Sequence, residues 1–335
     1  DTGEVKVWKA PTGLWDYLKD ATLIAAHNGI SFDFPILNKL WKTKIGLKQA
    51  YDTLVVSRLI EPTREGGHSL DAWGNTLGVK KLDYKATWQW MMNRREEYDG
   101  ECFDRPVEGL LEYYCKRDVD VLVLVYKHLV DSFNNQGFGG DSSILEHQVA
   151  AIINKQEKNG FKLDVVHATC LLSDLKLKMG VIYDKMQELY PPYEVERVSE
   201  KTGKTLKPEL ITFNPASRQQ IAEKLIGLGW KPTKKTEKGQ VIVDEGTLMG
   251  LKYPIAGMLS EYMMLQKRIG QIESWLEVIG KDGRVHGRVI TNGAVTGRMT
   301  HMKPNMAQIP NSGSPYGPEC RQCLTVEEGN VLVGC

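Results

Sequence analysis

The spacing of apolar residues divides the first part of the chain into short strands and helices. Residues 3–9 alternate between polar and apolar side chains as a strand does, and 22–26 form the apolar run of a buried strand. Residues 13–20 and 34–42 carry apolar side chains at helical spacing, and 51–60 fits a strand or helix leading into a further helix. Strands that alternate with helices predict an α/β architecture here.

A longer, mainly helical region follows. The segment 107–133 has helical spacing without proline and without glycine after Gly109, which predicts one long helix. A turn-rich linker over 134–143 separates it from a second helical stretch, 144–189, which is broken at NGFKLD. The remaining predicted segments are a polar stretch with Pro and Gly at 190–212, helices at 214–228 and 245–280, and strands and loops over 283–335.

Composition is that of an ordinary globular protein, with 335 residues, 41% hydrophobic and 25% charged. This length predicts two domains or more. Six scattered cysteines do not form a disulfide framework, which predicts a reducing cytoplasm, and the one C-x-x-C, Cys320 and Cys323, lacks the second ligand pair of a zinc site. No apolar run approaches the roughly 18 residues of a membrane span, so no membrane partner is expected.

Positive charge is clustered rather than general. Residues 200–240 hold nine Lys or Arg against four Glu, among them Lys234 and Lys235. Such a field can bind the phosphates of a nucleic acid. A solvated surface of Gly- and Thr-containing loops explains the same pattern, and charge alone does not separate the two interpretations.

The stretch HNGISFDFPIL, from His27 to Leu37, places a carboxylate where a buried strand turns into a helix. In one interpretation Asn28 and Gly29 make the turn, and Asp33 caps the helix that Pro35 enters. In the other, Asp33 is a metal ligand at the end of a sheet. The second interpretation requires a further carboxylate from elsewhere in the chain.

Tyr114 and Asp118 supply such a candidate in the long predicted helix. They are four residues apart and therefore share one face, although a surface Tyr and Asp would show the same spacing. Together with Asp33, Asp118 would hold the two divalent ions that hydrolyse a phosphodiester, for which Mg²⁺ is suited and Mn²⁺ can substitute. Tyr114 would position the attacking water rather than act as a base, because a phenol is protonated at neutral pH.

These two motifs resemble those of a known family. HNGISFD and YYCKRD are similar to the second and third motifs of the DEDD 3′–5′ exonucleases with Tyr in the third motif, whose fold is ribonuclease H-like. YDTLVVSRLI and HSLDAWGNTLGVKK resemble the proofreading domain of short-tailed-phage DNA polymerases. The resemblance implies metal ligands at Asp33 and Asp118, a water-positioning Tyr114 and a DNA contact at Asn28. The two remaining positions, read as structural supports or substrate-side contacts, are Asp52 and His68.

The first motif of that family, Asp-x-Glu on the opening strand, has no counterpart before Asp33. We therefore expect the chain to lack this strand, and with it two of the four ligands. The chain also stops at NVLVGC, where the family continues into the first polymerase carboxylate. These features predict a fragment, from an incomplete sequence, a split gene or an intein boundary, that does not polymerise as it stands.

The second half resembles the thumb and early palm of family A DNA polymerases. The segments are FNPASRQQIAEKL, YMMLQKRIGQIESWL and, above all, GRVHGRVITNGAVTGRMTHMKPNMAQIP followed by GPECRQCL. A polymerase monitors base-pair geometry through minor-groove acceptors that every base pair presents, which requires side-chain donors. The resemblance implies that Arg298 and Gln308 donate there, with Asn305 nearby. The cations implied as phosphate contacts are Lys267, Arg268 and Arg321. His286 and His301 either face DNA or are structural, and the structural interpretation is favoured.

The resulting hypothesis is part of a phage replicative DNA-directed DNA polymerase with 3′–5′ exonuclease. It assigns 1–139 to the exonuclease domain, 140–280 to a mainly helical thumb and 281–335 to the start of the palm. Expected partners are DNA primer–template and a single-stranded 3′ end, with dNTPs only in the complete enzyme, in the cytoplasm of an infected bacterium. A thioredoxin-type processivity factor is not expected, because the thumb stretch between Tyr190 and Phe213 is short. The alternatives are a non-catalytic DNA-binding subunit of a split polymerase and a free-standing DEDD nuclease.

Overall fold

The computed structural model describes residues 3–83, 85–87, 89, 106–198, 203, 205–237 and 239–333, with backbone alone at 106–109 and 206. It divides into two compact units. The first comprises Asp1–Asn159 and Gly287–Met302, and the second comprises Gly160–His286 and Lys303–Cys335. The predicted division into three domains stays a prediction.

The first unit combines short parallel strands with helices. Its helices are α1 (Leu14–Leu18), α2 (Asp33–Leu40), α3 (Thr53–Ile60), α4 (Leu70–Thr76), α5 (Pro106–Asn135) and α6 (Gly140–Asn159). Its strands are β1 (Ile24–Ala26) and β2 (Ala50–Asp52), and the later hairpin strands β7 (Arg288–Ile290) and β8 (Thr300–Met302).

Strands β1 and β2 pair in parallel, with Ile24 opposite Ala50 and Ala26 opposite Asp52. The predicted strand at 22–26 is confirmed, and 51–60 is confirmed as a strand end that enters a helix. The strand predicted over 3–9 is wrong, because residues 3–8 form no strand. Alternation alone does not make a strand, which needs a neighbouring edge to satisfy its backbone hydrogen bonds.

Two buried clusters hold the first unit together. One surrounds Phe34 of α2 and Val55 of α3. The other joins Val56 of α3 and Trp73 of α4 to the apolar face of α5. Adjacent residues of α3 enter different clusters, so this helix is buried on two sides and connects β2 to the long helix.

The long helix predicted over 107–133 is confirmed as α5. The predicted linker is shorter than 134–143, since α6 begins at Gly140. The break at NGFKLD is confirmed: α6 ends at Asn159, strand β3 (Phe161–Leu163) follows, and the next helix begins after it.

The second unit is mainly helical. Its remaining helices are α7 (Val165–Leu189), α8 (Arg218–Gly227), α9 (Glu245–Met249), α10 (Pro254–Glu277), the 3₁₀ turn Met306–Gln308 and α11 (Gly317–Gln322). Helices α7 and α10 pack along each other. Their shared core includes fully buried Leu175, Leu265 and Trp275, as expected for long helices that each bury an apolar stripe.

Short strands complete this unit. Strand β3 lies between β6 (Arg284–Val285) and β9 (Leu324–Thr325), antiparallel to both. Strands β4 (Tyr193–Val198) and β5 (Thr205–Ile211) form a hairpin within the polar stretch predicted at 190–212. Among the described residues, no helix is both long and apolar enough to cross a bilayer.

Candidate functional site

The loop after β1 is held by a buried carboxylate at the end of β2. Asp52 is 1% exposed. Its two carboxylate oxygens accept hydrogen bonds from the backbone N–H groups of Asn28 (2.8 Å), Ile30 (3.0 Å) and Leu54 (3.0 Å). The last of these caps α3, because Asp52 is its N-cap. Asp52 was interpreted either as a structural support or as a contact to the substrate. These hydrogen bonds are the kind that a structural support makes.

The turn itself depends on two special backbone positions. Asn28 has φ 67°, in the left-handed region that Asn tolerates better than most residues. A Cβ at Gly29 would lie 2.5 Å from the Cβ of Ala26 and 2.9 Å from the ring of Phe34. Glycine is therefore required for the close approach of the loop to β1 and α2.

Asp33 is the first residue of α2, and the N-cap is Phe32, which makes no side-chain capping bond. The interpretation of Asp33 as the cap is therefore wrong. Burial raises the pKa of the half-buried Asp33 carboxyl above its ordinary value. A hydrogen bond from its own backbone N–H lowers this pKa, and the negative charge of Asp52 raises it further. A nearby cation would favour the ionised form.

His27 precedes this loop and stays neutral at physiological pH. Burial lowers its pKa to about 4, although the carboxylate of Asp52 acts in the opposite direction. Its Nδ1 lies 2.9 Å from the hydroxyl of Thr53, which in turn donates to the carbonyl of Ala26. The imidazole thus joins the ends of β1 and β2.

The third predicted motif lies on α5, where Tyr114 and Asp118 meet at one lysine. Lys81 Nζ lies 2.9 Å from Asp118 Oδ2 and donates to the Tyr114 hydroxyl at 3.3 Å. Burial by itself lowers the pKa of Lys81, but the hydrogen bonds to Asp118 and Tyr114 outweigh it and the pKa is raised. The two side chains therefore face the same point, as their spacing of four residues predicts.

The second oxygen of Asp118 has no such partner. Its Oδ1 is buried and accepts no hydrogen bond from the described part of the chain. A buried carboxylate oxygen without a donor is costly, and a cation bound there would remove the cost. The residues therefore fit an ion at Asp118. No group of three His, Cys, Asp or Glu placed to share an ion occurs within the described ranges.

A cavity of about 520 Å³ lies beside these residues in the first unit. Asn28, Lys81 and Asp118 line it, whereas Asp33 and Tyr114 are not among its lining residues. His68 also lines it, with Nδ1 2.7 Å from the hydroxyl of Ser57. The structure thus brings Asn28 and Asp118 to one cavity and joins Tyr114 to it through Lys81.

The residues predicted to contact duplex DNA fall in both units. Arg298 is exposed on the β7–β8 hairpin of the first unit. In the second unit, Asn305 caps the 3₁₀ turn, its Oδ1 accepting from the N–H of Ala307 at 3.1 Å. The side chain of Gln308 is exposed, and its carbonyl accepts from Gln271 of α10 at 3.0 Å.

Of the three predicted phosphate contacts, Lys267 and Arg268 lie on α10 and Arg321 lies on α11. Arg268 Nε donates to the carbonyl of Pro315 at 3.3 Å, and Arg321 Nε donates to that of Pro310 at 2.8 Å. Lys267 is exposed and pairs with Glu245 at 2.9 Å. Arg268, Arg321 and Gln308 are therefore grouped where α10 meets the loop before α11.

The basic field of 200–240 is only partly described. Lys201, Lys204 and Lys238 lie outside the described residues, while Lys234 and Lys235 are exposed. Lys224 instead lies over aromatic rings, 5.0 Å from that of Tyr190. An exposed position suits phosphate binding and a solvated surface equally, so the choice between the two interpretations stays open.

The C-x-x-C pair belongs to the core of the second unit. Cys320 and Cys323 are fully buried. Burial raises the pKa of both thiols, that of Cys323 to about 12. Zinc binds thiolates, so burial of these groups in apolar surroundings disfavours it.

Sequence reasoning missed two residues that shape the site. Lys81, which lies 33 residues before Tyr114, contacts both Tyr114 and Asp118. It is the last residue of HSLDAWGNTLGVKK, a segment in which the resemblance assigned no role to Lys81. His147 accepts a hydrogen bond from the N–H of Asp52 at 2.7 Å, across 95 residues. A lone histidine on an amphipathic helix gives no sequence signal of such a contact.

The fold is that of a polymerase domain. The structure superposes with a TM-score of 0.62 on the polymerase domain of M. smegmatis Pol1, solved in complex with DNA primer-template and dNTP. The match covers 84% of this chain and 42% of that one at 18% identity. Residues 192–335 match the family described as DNA polymerase family A. The mixed α/β polymerase fold predicted from the sequence is confirmed.

Phage proteins are among the relatives in sequence. The chain is 32% identical to the DNA-directed DNA polymerase of Escherichia phage T7, over 91% of this chain and 57% of the relative. It is 31% identical to that of Enterobacteria phage T3, over 92% and 58%. The chain thus spans little more than half the length of these relatives. These matches confirm the resemblance to family A DNA polymerases that the sequence predicts.

Proposed function

We propose that the chain is part of a phage replicative DNA-directed DNA polymerase whose first unit excises nucleotides from a DNA 3′ end. The observation that carries the exonuclease proposal is the group formed by Asp118, Tyr114 and Lys81. It presents a phenol and a carboxylate to one point, next to the cavity that Asn28 lines. The phage relatives named as DNA-directed DNA polymerases support the wider assignment.

In this proposal Asp33 and Asp118 hold Mg²⁺, for which Mn²⁺ can substitute. Bound divalent ions supply activation of a water and stabilisation of the leaving oxygen in phosphodiester hydrolysis. Asp118 offers Oδ1 for this purpose, since Lys81 pairs with Oδ2. Tyr114 orients the attacking water through its hydroxyl, and Lys81 fixes the position of that hydroxyl. The helix α5 keeps Tyr114 and Asp118 one turn apart.

The second unit and the hairpin bind primer–template DNA. Arg298 and Gln308 are exposed donors suited to minor-groove acceptors, and Asn305 keeps the turn before Gln308 in shape. The cations proposed for phosphates are Lys267, Arg268 and Arg321. Nucleotide incorporation is proposed only for the complete polymerase, acting in the cytoplasm of an infected bacterium.

The decisive experiment is Mg²⁺-dependent degradation of a 3′-labelled single strand. It compares this chain with a form extended at its N-terminus by a strand that carries Asp-x-Glu, because the described residues include no three-ligand cluster. Each form is paired with an Asp118→Ala control. We expect the extended form to cut, its Asp118→Ala variant to be inactive, and EDTA to abolish cutting.

Primer–template binding is measured in parallel as a function of salt. If the extended form binds DNA in a salt-sensitive manner and never cuts, the exonuclease proposal fails. The chain is then the DNA-binding subunit of a split polymerase. Cutting that persists in Asp118→Ala would instead remove Asp118 from the metal site.

A further inference from the structure

The β7–β8 hairpin lies in the part of the chain that matches family A polymerases, yet it packs within the first unit. Two carboxylates of α6 hold it there. Glu157 accepts from the N–H of Val289 at 2.6 Å, and Glu146 accepts from the side-chain amide of Asn292 at 2.7 Å. Asn292 is 8% exposed, and both hydrogen bonds are partly buried.

The hairpin keeps a fixed shape at its anchored end. Its strands pair from Arg288 opposite Met302 to Ile290 opposite Thr300. Gly293 follows the anchor, and a Cβ there would overlap the side chain of Thr300. The segment 288–291 is therefore held by strand pairing on one side and by Glu157 on the other.

That segment lines the same cavity as the candidate exonuclease residues. His27, Asn28, Lys81 and Asp118 line one part of it, and 288–291 of the hairpin line another. Its volume of about 520 Å³ falls within the roughly 300–1,000 Å³ of small-ligand sites. The cavity is thus formed jointly by the nuclease-like and the polymerase-like parts of the sequence.

The polar lining of the cavity contains both cations and carboxylates. Three cations reach it, Arg58, Lys81 and Arg288. Three carboxylates also line it: Asp52 accepts from backbone N–H groups, Glu157 accepts from Val289, and Asp118 pairs with Lys81 through Oδ2. Because Lys81 is held by Asp118, Arg58 and Arg288 are the cations left to bind a phosphate.

Arg58 and Arg288 line the same cavity. Burial lowers the pKa of Arg58, the carboxylate of Asp52 opposes this, the positive charge of Arg288 lowers the pKa further, and the carboxylate of Glu157 raises it. Two like charges that face one cavity are stabilised by an anion between them. The apolar lining, which includes Leu54 and Ile153, provides a surface for a base.

We infer that the hairpin is a wall of the strand-binding cavity of the exonuclease and that Arg288, with Arg58, binds a phosphate of the unpaired DNA 3′ strand. This inference rests on the proposed exonuclease function. It adds that a residue from the polymerase-like segment contributes to the binding of the strand to be excised. Arg288 is exposed, so its replacement leaves the anchors at Val289 and Asn292 in place.

The test is the affinity of this chain for a 5′-fluorescein-labelled single strand with a free 3′ end, measured by anisotropy in EDTA so that no cutting occurs. Arg288→Ala is expected to weaken binding about tenfold, as loss of a charge-assisted contact does. The slope of log affinity against log salt should fall by about 0.7, the value for one phosphate on a single strand. Arg288→Lys should restore part of the affinity. The matched control is Lys127→Ala, which removes one exposed charge of α5 outside the cavity lining.

The outcomes separate this inference from the function on which it rests. Arg288→Ala that binds the strand as tightly as the unaltered chain overturns the inference, even if the extended form cuts DNA. If Arg288→Ala binds the strand more weakly but the extended form does not cut DNA, the inference about the cavity is supported and the exonuclease proposal is overturned. A chain that does not bind single strands at all overturns both.

Discussion

Replacing Asp52 with alanine should loosen the candidate site without touching any proposed metal ligand. The carboxylate accepts three backbone hydrogen bonds, at 2.8, 3.0 and 3.0 Å, and is 1% exposed. Alanine leaves these three N–H groups without their acceptor. Each unsatisfied buried donor costs about 1–3 kcal/mol, and partial access of water reduces the total for the three donors. We therefore expect the local stability of this loop to fall by about 4 kcal/mol.

Amide hydrogen exchange measures this cost where it arises. A loss of about 4 kcal/mol corresponds to roughly 1,000-fold faster exchange. It should appear at the amides of Asn28, Ile30 and Leu54. Asp52→Asn, which keeps one oxygen acceptor and the side-chain shape, should give a smaller acceleration.

The matched control is Asp164→Ala, which removes the N-cap of α7. Within the described part of the chain, that carboxylate accepts from a single N–H, that of His167 at 2.9 Å, and a single cap is worth about 1 kcal/mol. If Asp52→Ala accelerates local exchange no more than Asp164→Ala does, the carboxylate does not hold the loop, and its structural assignment is refuted.

Three further predictions concern side chains near the site and in the second core. Gly29→Ala should reduce the free energy of unfolding by about 2 kcal/mol in urea titration, because its Cβ would lie 2.5 Å from that of Ala26; no change would show that the loop can move aside. The folded-state pKa of His27 is about 4, against 6.5 for the free group. Because the unfolded chain takes up the proton first, about 3 kcal/mol of the free energy of unfolding is lost as pH falls from 6.5 toward 4. In His27→Gln, the free energy of unfolding should lose about 3 kcal/mol less over this pH range. Iodoacetamide at pH 8 should modify exposed Cys170 and leave buried Cys323 unmodified, as read by mass spectrometry; equal labelling would contradict the raised pKa.

What the sequence alone determined is local. The long helix and the common direction of Tyr114 and Asp118 followed from spacing, because helical hydrogen bonds join residues four apart. The break before Asp164 and the turn at Asn28 and Gly29 were likewise predictable, since caps and tight turns are read from a few neighbouring residues. Alternation at 3–9 failed as evidence because strand pairing depends on a distant partner.

Tertiary structure decided how these pieces form a site. The hydrogen bond of Lys81 to Tyr114 joins residues 33 apart, and that of His147 to Asp52 joins residues 95 apart. The placement of Arg288 at the nuclease-like cavity depends on anchors 132 and 146 residues away in sequence, at α6. Such contacts form only when helices and strands pack and exclude water, so no local pattern of residues encodes them.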